Sequence, residues 1–73
     1  MDSFEIIAKE DIYKIIHHSD SDDTFVVFNY ATCHVIKRNA SGKWEAVGHR
    51  FGTAYVPLKE IGAAIDKYFS MQS

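Results

Sequence analysis

The sequence predicts an α+β fold of order α-β-β-β-α, in which a three-stranded antiparallel meander packs with two helices. Two patterns lead to this prediction. Apolar and polar residues alternate with a period of two between residues 24 and 49, and apolar residues recur at every third or fourth position on either side. The short connections in the middle region indicate hairpins and antiparallel pairing. With 73 residues and an aromatic content of 14%, the chain is expected to form a single domain, residues 1–73.

The first helix is predicted near the N-terminus. Its apolar stripe, with spacings of three and four residues, consists of Phe4, Ala8, Ile12, Ile15 and Ile16. Ile6 and Tyr13 do not fit this stripe. In a rival interpretation, residues 4–8 form a short strand and the helix begins near Lys9. The polar residues 17–23 that follow are expected to form a loop.

Three strands are predicted after this loop, because β-branched and aromatic residues are frequent there. They are expected at residues 24–30, 33–38 and 43–49. Residues 31–32 are predicted to turn, and residues 39–42 form a hairpin turn in which Gly42 can adopt a positive φ. Gly48 and Gly52 indicate an irregular, bulged end of the third strand.

A second helix is predicted to begin at Pro57, because the first helical position does not need a backbone N–H. Its apolar stripe consists of Leu58, Ile61, Ile65, Tyr68 and Phe69. Gly62 interrupts this helix at a cost of about 1 kcal/mol relative to alanine. We therefore expect a close approach between Gly62 and the sheet, where a side chain would clash.

Both faces of the predicted sheet receive large apolar residues. In the first strand, Phe25 and Val27 point to one face, and Val26, Phe28 and Tyr30 point to the other. Val35 and Ile36 likewise face opposite sides. Three explanations are open. The helices cover opposite faces, the second face binds a partner or a second copy of the chain, or the exposed apolar groups have no special role.

The sequence predicts no catalytic residues, no metal site and no cofactor. A single cysteine, Cys33, excludes an intramolecular disulfide and a zinc cluster based on paired cysteines, and it suits a reducing, cytoplasmic compartment. A nucleophilic pair of Cys33 with His34 is excluded because neighbouring strand residues face opposite ways. A pair with His49 lacks an orienting group. The N-terminal residues lack the basic region and long apolar stretch typical of a signal peptide, and the longest apolar runs are too short to span a membrane.

Histidine and aspartate residues are concentrated between positions 17 and 23, where His17 and His18 with Asp20, Asp22 and Asp23 could loosely hold a metal. A solvated helix end is the favoured interpretation. Because Glu45 is the only carboxylate between residues 23 and 60, a general acid–base pair is poorly supplied. We therefore do not expect an enzyme, although a small hydrolase or thiol enzyme that uses Cys33 is a third alternative.

The α-β-β-β-α order and the length resemble the double-stranded-RNA-binding domain, but only in topology. That family's second helix opens with a lysine cluster that contacts phosphates. The corresponding segment here reads Val56-Pro57-Leu58-Lys59-Glu60. A single lysine followed by an acid does not match the family's RNA-binding surface, so no family residues are transferred.

The first functional hypothesis is a non-catalytic protein-binding module, a small regulator or inhibitor that occludes a partner protein and forms a homodimer through the second sheet face. Its expected contact residues are Trp44, His49, Arg50, Phe51 and Tyr55. A product of a phage or mobile element would fit this hypothesis. The alternative, considered less favoured, is nucleic-acid binding through the basic residues Lys37, Arg38, Lys43 and Arg50. A membrane partner is not expected.

Overall fold

The computed structural model describes residues 2–17 and 23–72. It contains one five-stranded antiparallel sheet with the strands in chain order, followed by one helix. The strands are β1 (Asp2–Ala8), β2 (Asp11–His17), β3 (Thr24–Phe28), β4 (Thr32–Arg38) and β5 (Trp44–Gly52), and the helix is α1 (Leu58–Gln72). The sheet is a simple meander, and α1 packs against only one of its faces.

The predicted N-terminal helix is wrong, and so is the three-stranded, two-helix arrangement. The segment instead forms the hairpin β1–β2, in which Ala8 pairs with Asp11 around a two-residue turn. Both turn residues, Lys9 (φ 48°) and Glu10 (φ 72°), adopt the left-handed conformation. This is the geometry of a two-residue hairpin turn, which asparagine and glycine usually form. The topological resemblance to the double-stranded-RNA-binding domain therefore fails.

The rival interpretation of the N-terminus is correct only for its strand at residues 4–8, because no helix begins near Lys9. Of the predicted loop at residues 17–23, His17 belongs to the end of β2, and residues 18–22 lie outside the described part of the chain. The expectation for a loose metal site at His18, Asp20 and Asp22 therefore falls outside the described residues.

The middle of the chain follows the prediction closely. Strands β3 and β4 lie within one or two residues of the expected ranges, and β5 extends three residues further, to Gly52. Gly42 adopts the predicted positive φ of 82° in the hairpin turn. Two residues of β5, Val47 and Arg50, have no partner in the β4 register and form bulges. Each bulge reverses which residues of β5 point to which face.

Helix α1 confirms the predicted apolar stripe. Ile61 and Ile65 are fully buried, and Leu58, Tyr68 and Phe69 pack around them. The backbone N–H of Ile61 donates to the carbonyl of Pro57 at 2.9 Å, which forms the first turn. The predicted close approach of Gly62 is also confirmed, because a Cβ atom there would lie 2.3 Å from the Trp44 ring.

The hydrophobic core lies between α1 and the sheet face that we call the covered face. Its buried strand residues are Phe4, Ile6, Ala8, Tyr13, Ile15, Phe25, Val27 and Ile36. Aromatic rings fill the space beneath the helix, where Phe4 stacks on Tyr68 with ring centroids 3.7 Å apart. Phe69 packs edge-on against Phe4. Such ring contacts bury much apolar area per residue, which a chain of this length needs.

Candidate functional site

The face of the sheet opposite α1, which we call the open face, is the candidate site. Its members alternate along each strand with residues of the covered face and follow from the pairing register. The apolar members are Ile7, Ile12, Ile16, Val26, Phe28, Cys33, Val35 and Phe51. Because the described part of the chain forms a single helix, the explanation that two helices cover opposite faces is wrong.

The apolar members form two continuous rows across neighbouring strands. In one row, Ile16 lies opposite Val26, and Val26 lies opposite Val35. In the other, Phe28 lies opposite Cys33, and Cys33 lies opposite Phe51. Directly opposed side chains in an antiparallel sheet are close enough to contact one another. The two rows therefore form one apolar patch across β2, β3, β4 and β5.

The patch is densest in the middle of the sheet. Val26 is 8% exposed and Cys33 is 7% exposed, although α1 lies on the other side. Their neighbours on the open face supply this shielding and are themselves partly in water. Ile16, Phe28 and Val35 are half-buried, and Phe51 is 51% exposed. The open face thus has an apolar centre that no described segment covers.

Charged residues of both signs flank the patch. Glu5 lies opposite Lys14 between β1 and β2, and Lys37 lies opposite Glu45 between β4 and β5. Opposite charges at directly paired positions attract one another weakly. The open face therefore has an apolar centre and a rim whose charges balance, which is the general organisation of protein interfaces.

The structure does not bring the five expected contact residues together. Phe51 lies on the open face, whereas Trp44 packs beneath α1 on the covered face. His49 lies on the covered face at the far end of β5, and Arg50 is a bulge residue. Tyr55 is exposed in the segment before α1, where the ammonium of Lys9 approaches its ring. Of these residues, only Phe51 belongs to the apolar patch.

The four basic residues of the nucleic-acid alternative are also dispersed. Lys37 lies on the open face opposite Glu45. Arg38 lies on the covered side, where it forms an ion pair with Asp66 and its guanidinium lies 4.8 Å from the centre of the Trp44 ring. Lys43 lies in the hairpin turn, and Arg50 lies near the opposite end of β5. Lys37 and Arg38 therefore present their charges on opposite faces.

Two histidines stack at the end of the sheet on the covered side. The rings of His34 and His49 have centroids 4.8 Å apart, and His34 is 1% exposed. The carbonyl of Thr53 accepts hydrogen bonds from Nε2–H of His34 (3.1 Å) and from the hydroxyl of Thr32 (2.7 Å). Nε2–H of His49 donates to the carbonyl of Gly52 at 3.0 Å. The two bonds to Thr53 fasten the residue after β5 to β4, and the His49 bond lies within the bulged end of β5.

Burial lowers the pKa of His34 below its usual value of 6.5, and the neighbouring His49 lowers it further. Hydrogen bonds to the backbone of Thr53 and Tyr55 oppose this shift. No carboxylate among the described residues is bonded to His34, so only backbone carbonyls favour its cation. Burial therefore favours the neutral form of this imidazole.

The thiol of Cys33 is free and lies on the open face between Phe28 and Phe51. His34 and His49 both lie on the covered face, so neither can serve as a base for this thiol. Among residues 2–17 and 23–72, no three histidine, cysteine or acidic side chains are grouped closely enough to hold a metal ion. No helix in the same ranges is long and apolar enough to cross a membrane.

Sequence reasoning missed part of the open face. It places Ile12 and Ile16 in a helical stripe and considers Cys33 only for disulfide, metal and nucleophilic chemistry. The available signal was the alternation in β2, where Tyr13 and Ile15 are buried and Ile12 is 59% exposed. Comparisons of this chain with protein-family models, curated proteins and solved structures find no match.

Proposed function

We propose that this chain is a non-catalytic protein-binding module that binds another protein through the open face of its sheet. The observation on which the proposal depends is the apolar patch centred on Val26 and Val35, which α1 leaves uncovered. A polar surface would be sufficient if this face only contacted water. Several adjoining apolar side chains on a free surface are typical of an interaction site.

The size of the open face lies near the lower limit for a specific protein interface. Five strands about 4.8 Å apart and about seven residues long, at about 3.3 Å per residue, give a face of roughly 24 by 23 Å. Covering it with a partner would remove roughly 1,100 Å² from water, before the relief of the side chains is counted. Specific protein interfaces begin at about 1,200 Å².

The chemistry of the face defines the partner. A partner should present an apolar surface to the row that contains Val35, and polar groups to the rim at Glu5, Lys14, Lys37 and Glu45. A chain of this size would act by occluding that surface, as a small regulator or inhibitor. The free thiol of Cys33 in this face supports a reducing, cytoplasmic setting.

Two measurements test the proposal. In the first, light scattering measures the mass of wild type and of Val35→Lys in solution. A wild-type dimer that becomes a monomer in Val35→Lys would show that a second copy of the chain occupies the open face. In the second, tagged wild type, Val35→Lys and the helix-surface control Lys59→Glu are expressed in the source cells, and copurifying proteins are quantified. We expect a protein that is retained by wild type and Lys59→Glu and lost with Val35→Lys. A monomer with identical copurifying proteins for all three chains would contradict the proposal.

A further inference from the structure

The outer edge of β1 is a second surface that no strand pairs with among residues 2–17 and 23–72. Ala8 and Asp11 flank a two-residue turn and form a hydrogen-bonded pair, so hydrogen-bonded and non-bonded pairs alternate along the hairpin. Ser3, Glu5 and Ile7 consequently direct their backbone N–H and C=O groups away from β2. These three residues present six hydrogen-bonding groups at the edge of the sheet.

The two edges of the sheet differ in how they are protected. Strand β5 has two bulges, at Val47 and Arg50, and bulges disturb the regular spacing that an added strand needs. Strand β1 pairs without interruption over all seven residues and contains no proline and no lysine. Regular, unprotected edges accept further strands.

A groove of about 490 Å³ follows the β1 edge. Ile6 and the α1 residues Ala64, Lys67, Tyr68 and Met71 line it on the helix side, and Glu5, Ile7 and Ile12 line it towards the open face. Met71 is 74% exposed, and Ile7 at the rim is 70% exposed. A strand added to β1 would place alternate side chains in this groove, as in recognition by β-strand addition.

The charge at the centre of the edge selects the occupant. Two β1 strands from two copies of the chain could pair antiparallel so that all three outward residues are matched. In that register Ser3 of one copy lies opposite Ile7 of the other, and the two Glu5 residues lie opposite each other. Like charges at directly opposed positions destabilise a sheet. A base opposite Glu5 would instead extend the alternation of charge that begins with the Glu5–Lys14 pair. The edge therefore favours a foreign strand over a second copy.

We propose that the β1 edge binds an extended segment of a partner protein, which adds as an antiparallel strand with apolar side chains in the groove and a basic side chain opposite Glu5. This proposal does not rest on the patch centred on Val35, because the groove along the β1 edge shares only Glu5, Ile7 and Ile12 with the open face. The backbone of β1 supplies the hydrogen bonds, and the groove and Glu5 determine which side chains are accepted.

The probe is a synthetic peptide with blocked ends, Thr-Val-Val-Lys-Ile-Thr-Lys, whose central lysine would lie opposite Glu5. Binding is followed by amide NMR shifts of the full chain. We expect saturable shifts at Ser3, Glu5 and Ile7. N-methylation of the fourth and sixth peptide residues, whose amides would face β1, should weaken binding at least about tenfold. N-methylation of the third and fifth, whose amides face solvent, should change it less than about twofold.

Charge reversal provides the matched control. A peptide with glutamate in place of the central lysine should bind wild type about fivefold more weakly, and Glu5→Lys should invert this preference. Val35→Lys should leave peptide binding unchanged, which separates this proposal from the function of the open face. The proposal is overturned by the absence of shifts in β1 at about 1 mM peptide, by equal losses from both methylated peptides, or by β1 shifts that depend on protein concentration alone.

Discussion

The two faces of the sheet contain similar apolar residues and have different surroundings. Ile15 and Ile16 are consecutive in β2, but Ile15 is fully buried beneath α1 and Ile16 is half-buried on the open face. The same contrast holds in β3, where Val27 is fully buried and Val26 retains 8% exposure without any cover from the helix. The covered face accounts for the fold. The open face keeps a comparable set of apolar residues without a covering element among the described residues.

The largest expected effect contrasts these neighbouring isoleucines. Ile15→Ala removes a side chain from the core and should lower the free energy of unfolding by about 3 kcal/mol, through lost burial and a residual cavity. Ile16→Ala should cost about 1 kcal/mol, because its side chain loses less contact and water can fill the space. Urea denaturation of both variants measures the difference. Equal losses would show that the open face is packed as tightly as the core.

A pair of glycines provides the second contrast. Gly62→Ala on the covered side would place a methyl group 2.3 Å from the Trp44 ring, and despite the better helix propensity of alanine it should destabilise the fold by about 2 kcal/mol. Gly48 on the open face has only ordinary contacts with Val35, the closest at 3.4 Å. Gly48→Ala should therefore change stability by less than about 1 kcal/mol. If thermal unfolding ranks the two variants in the reverse order, the packing of Trp44 against α1 is wrong.

The strands and the helix that follow Thr24 could be predicted from the sequence, whereas the β1–β2 hairpin before them could not. The reason lies in the turn between β1 and β2. Lys9 and Glu10 are not typical turn residues, although both have positive φ. After this turn the buried positions change from even to odd numbers, and the combined pattern resembles helical spacing. Ile6 and Tyr13, which did not fit that helix, are 7% and 5% exposed in the core.

The candidate site was predicted in part for a similar reason. The opposed faces of Phe25 and Val26 could be inferred from simple alternation, and the structure confirms them. The expected contact residues of β5 could not be assigned to a face, because each bulge reverses the alternation. Trp44 and His49 therefore share the covered face, although one number is even and the other odd, and Phe51 lies on the open face. Bulge positions depend on the pairing with β4, which alternation alone does not specify.

The third contrast concerns pH, because the covered face buries a titratable group. The pKa of His34 is lowered by burial, so the unfolded chain binds this proton at a higher pH than the folded chain does. The stabilisation is present above about pH 6.5 and is lost as the pH falls towards the lower folded-state pKa. A single proton limits this slope to about 1.4 kcal/mol per pH unit.

Thermal unfolding between about pH 7.5 and 5 tests this expectation. Wild type should lose stability on acidification more steeply than His34→Gln, in which the amide can still donate to the Thr53 carbonyl but does not titrate. His49→Gln should have an intermediate slope, because it removes a neighbour that lowers the pKa of His34 and leaves the burial of His34 unchanged. Parallel curves for wild type and His34→Gln would show that the buried imidazole does not contribute to the acid sensitivity.

The smallest expected effects on stability come from the two neighbouring basic residues of β4, Lys37 and Arg38. Arg38→Ala removes the ion pair with Asp66 and the guanidinium contact with the Trp44 ring. The pair is partly exposed to solvent, so the expected loss is only about 1 kcal/mol, mostly from the ring contact and the buried stem. Lys37→Ala removes an exposed cross-strand partner of Glu45 and should cost less than about 0.5 kcal/mol.

Salt provides the control for this pair of variants, because screening weakens exposed ion pairs more than it weakens ring packing. The Lys37→Ala difference should vanish at about 1 M salt, whereas most of the Arg38→Ala difference should remain. If both differences vanish, Arg38 stabilises the fold only through its charge. Its packing against the Trp44 ring then contributes nothing measurable. If the Lys37→Ala difference persists, the stem of Lys37 packs on the open face, and that face is less available to a partner than the apolar rows indicate.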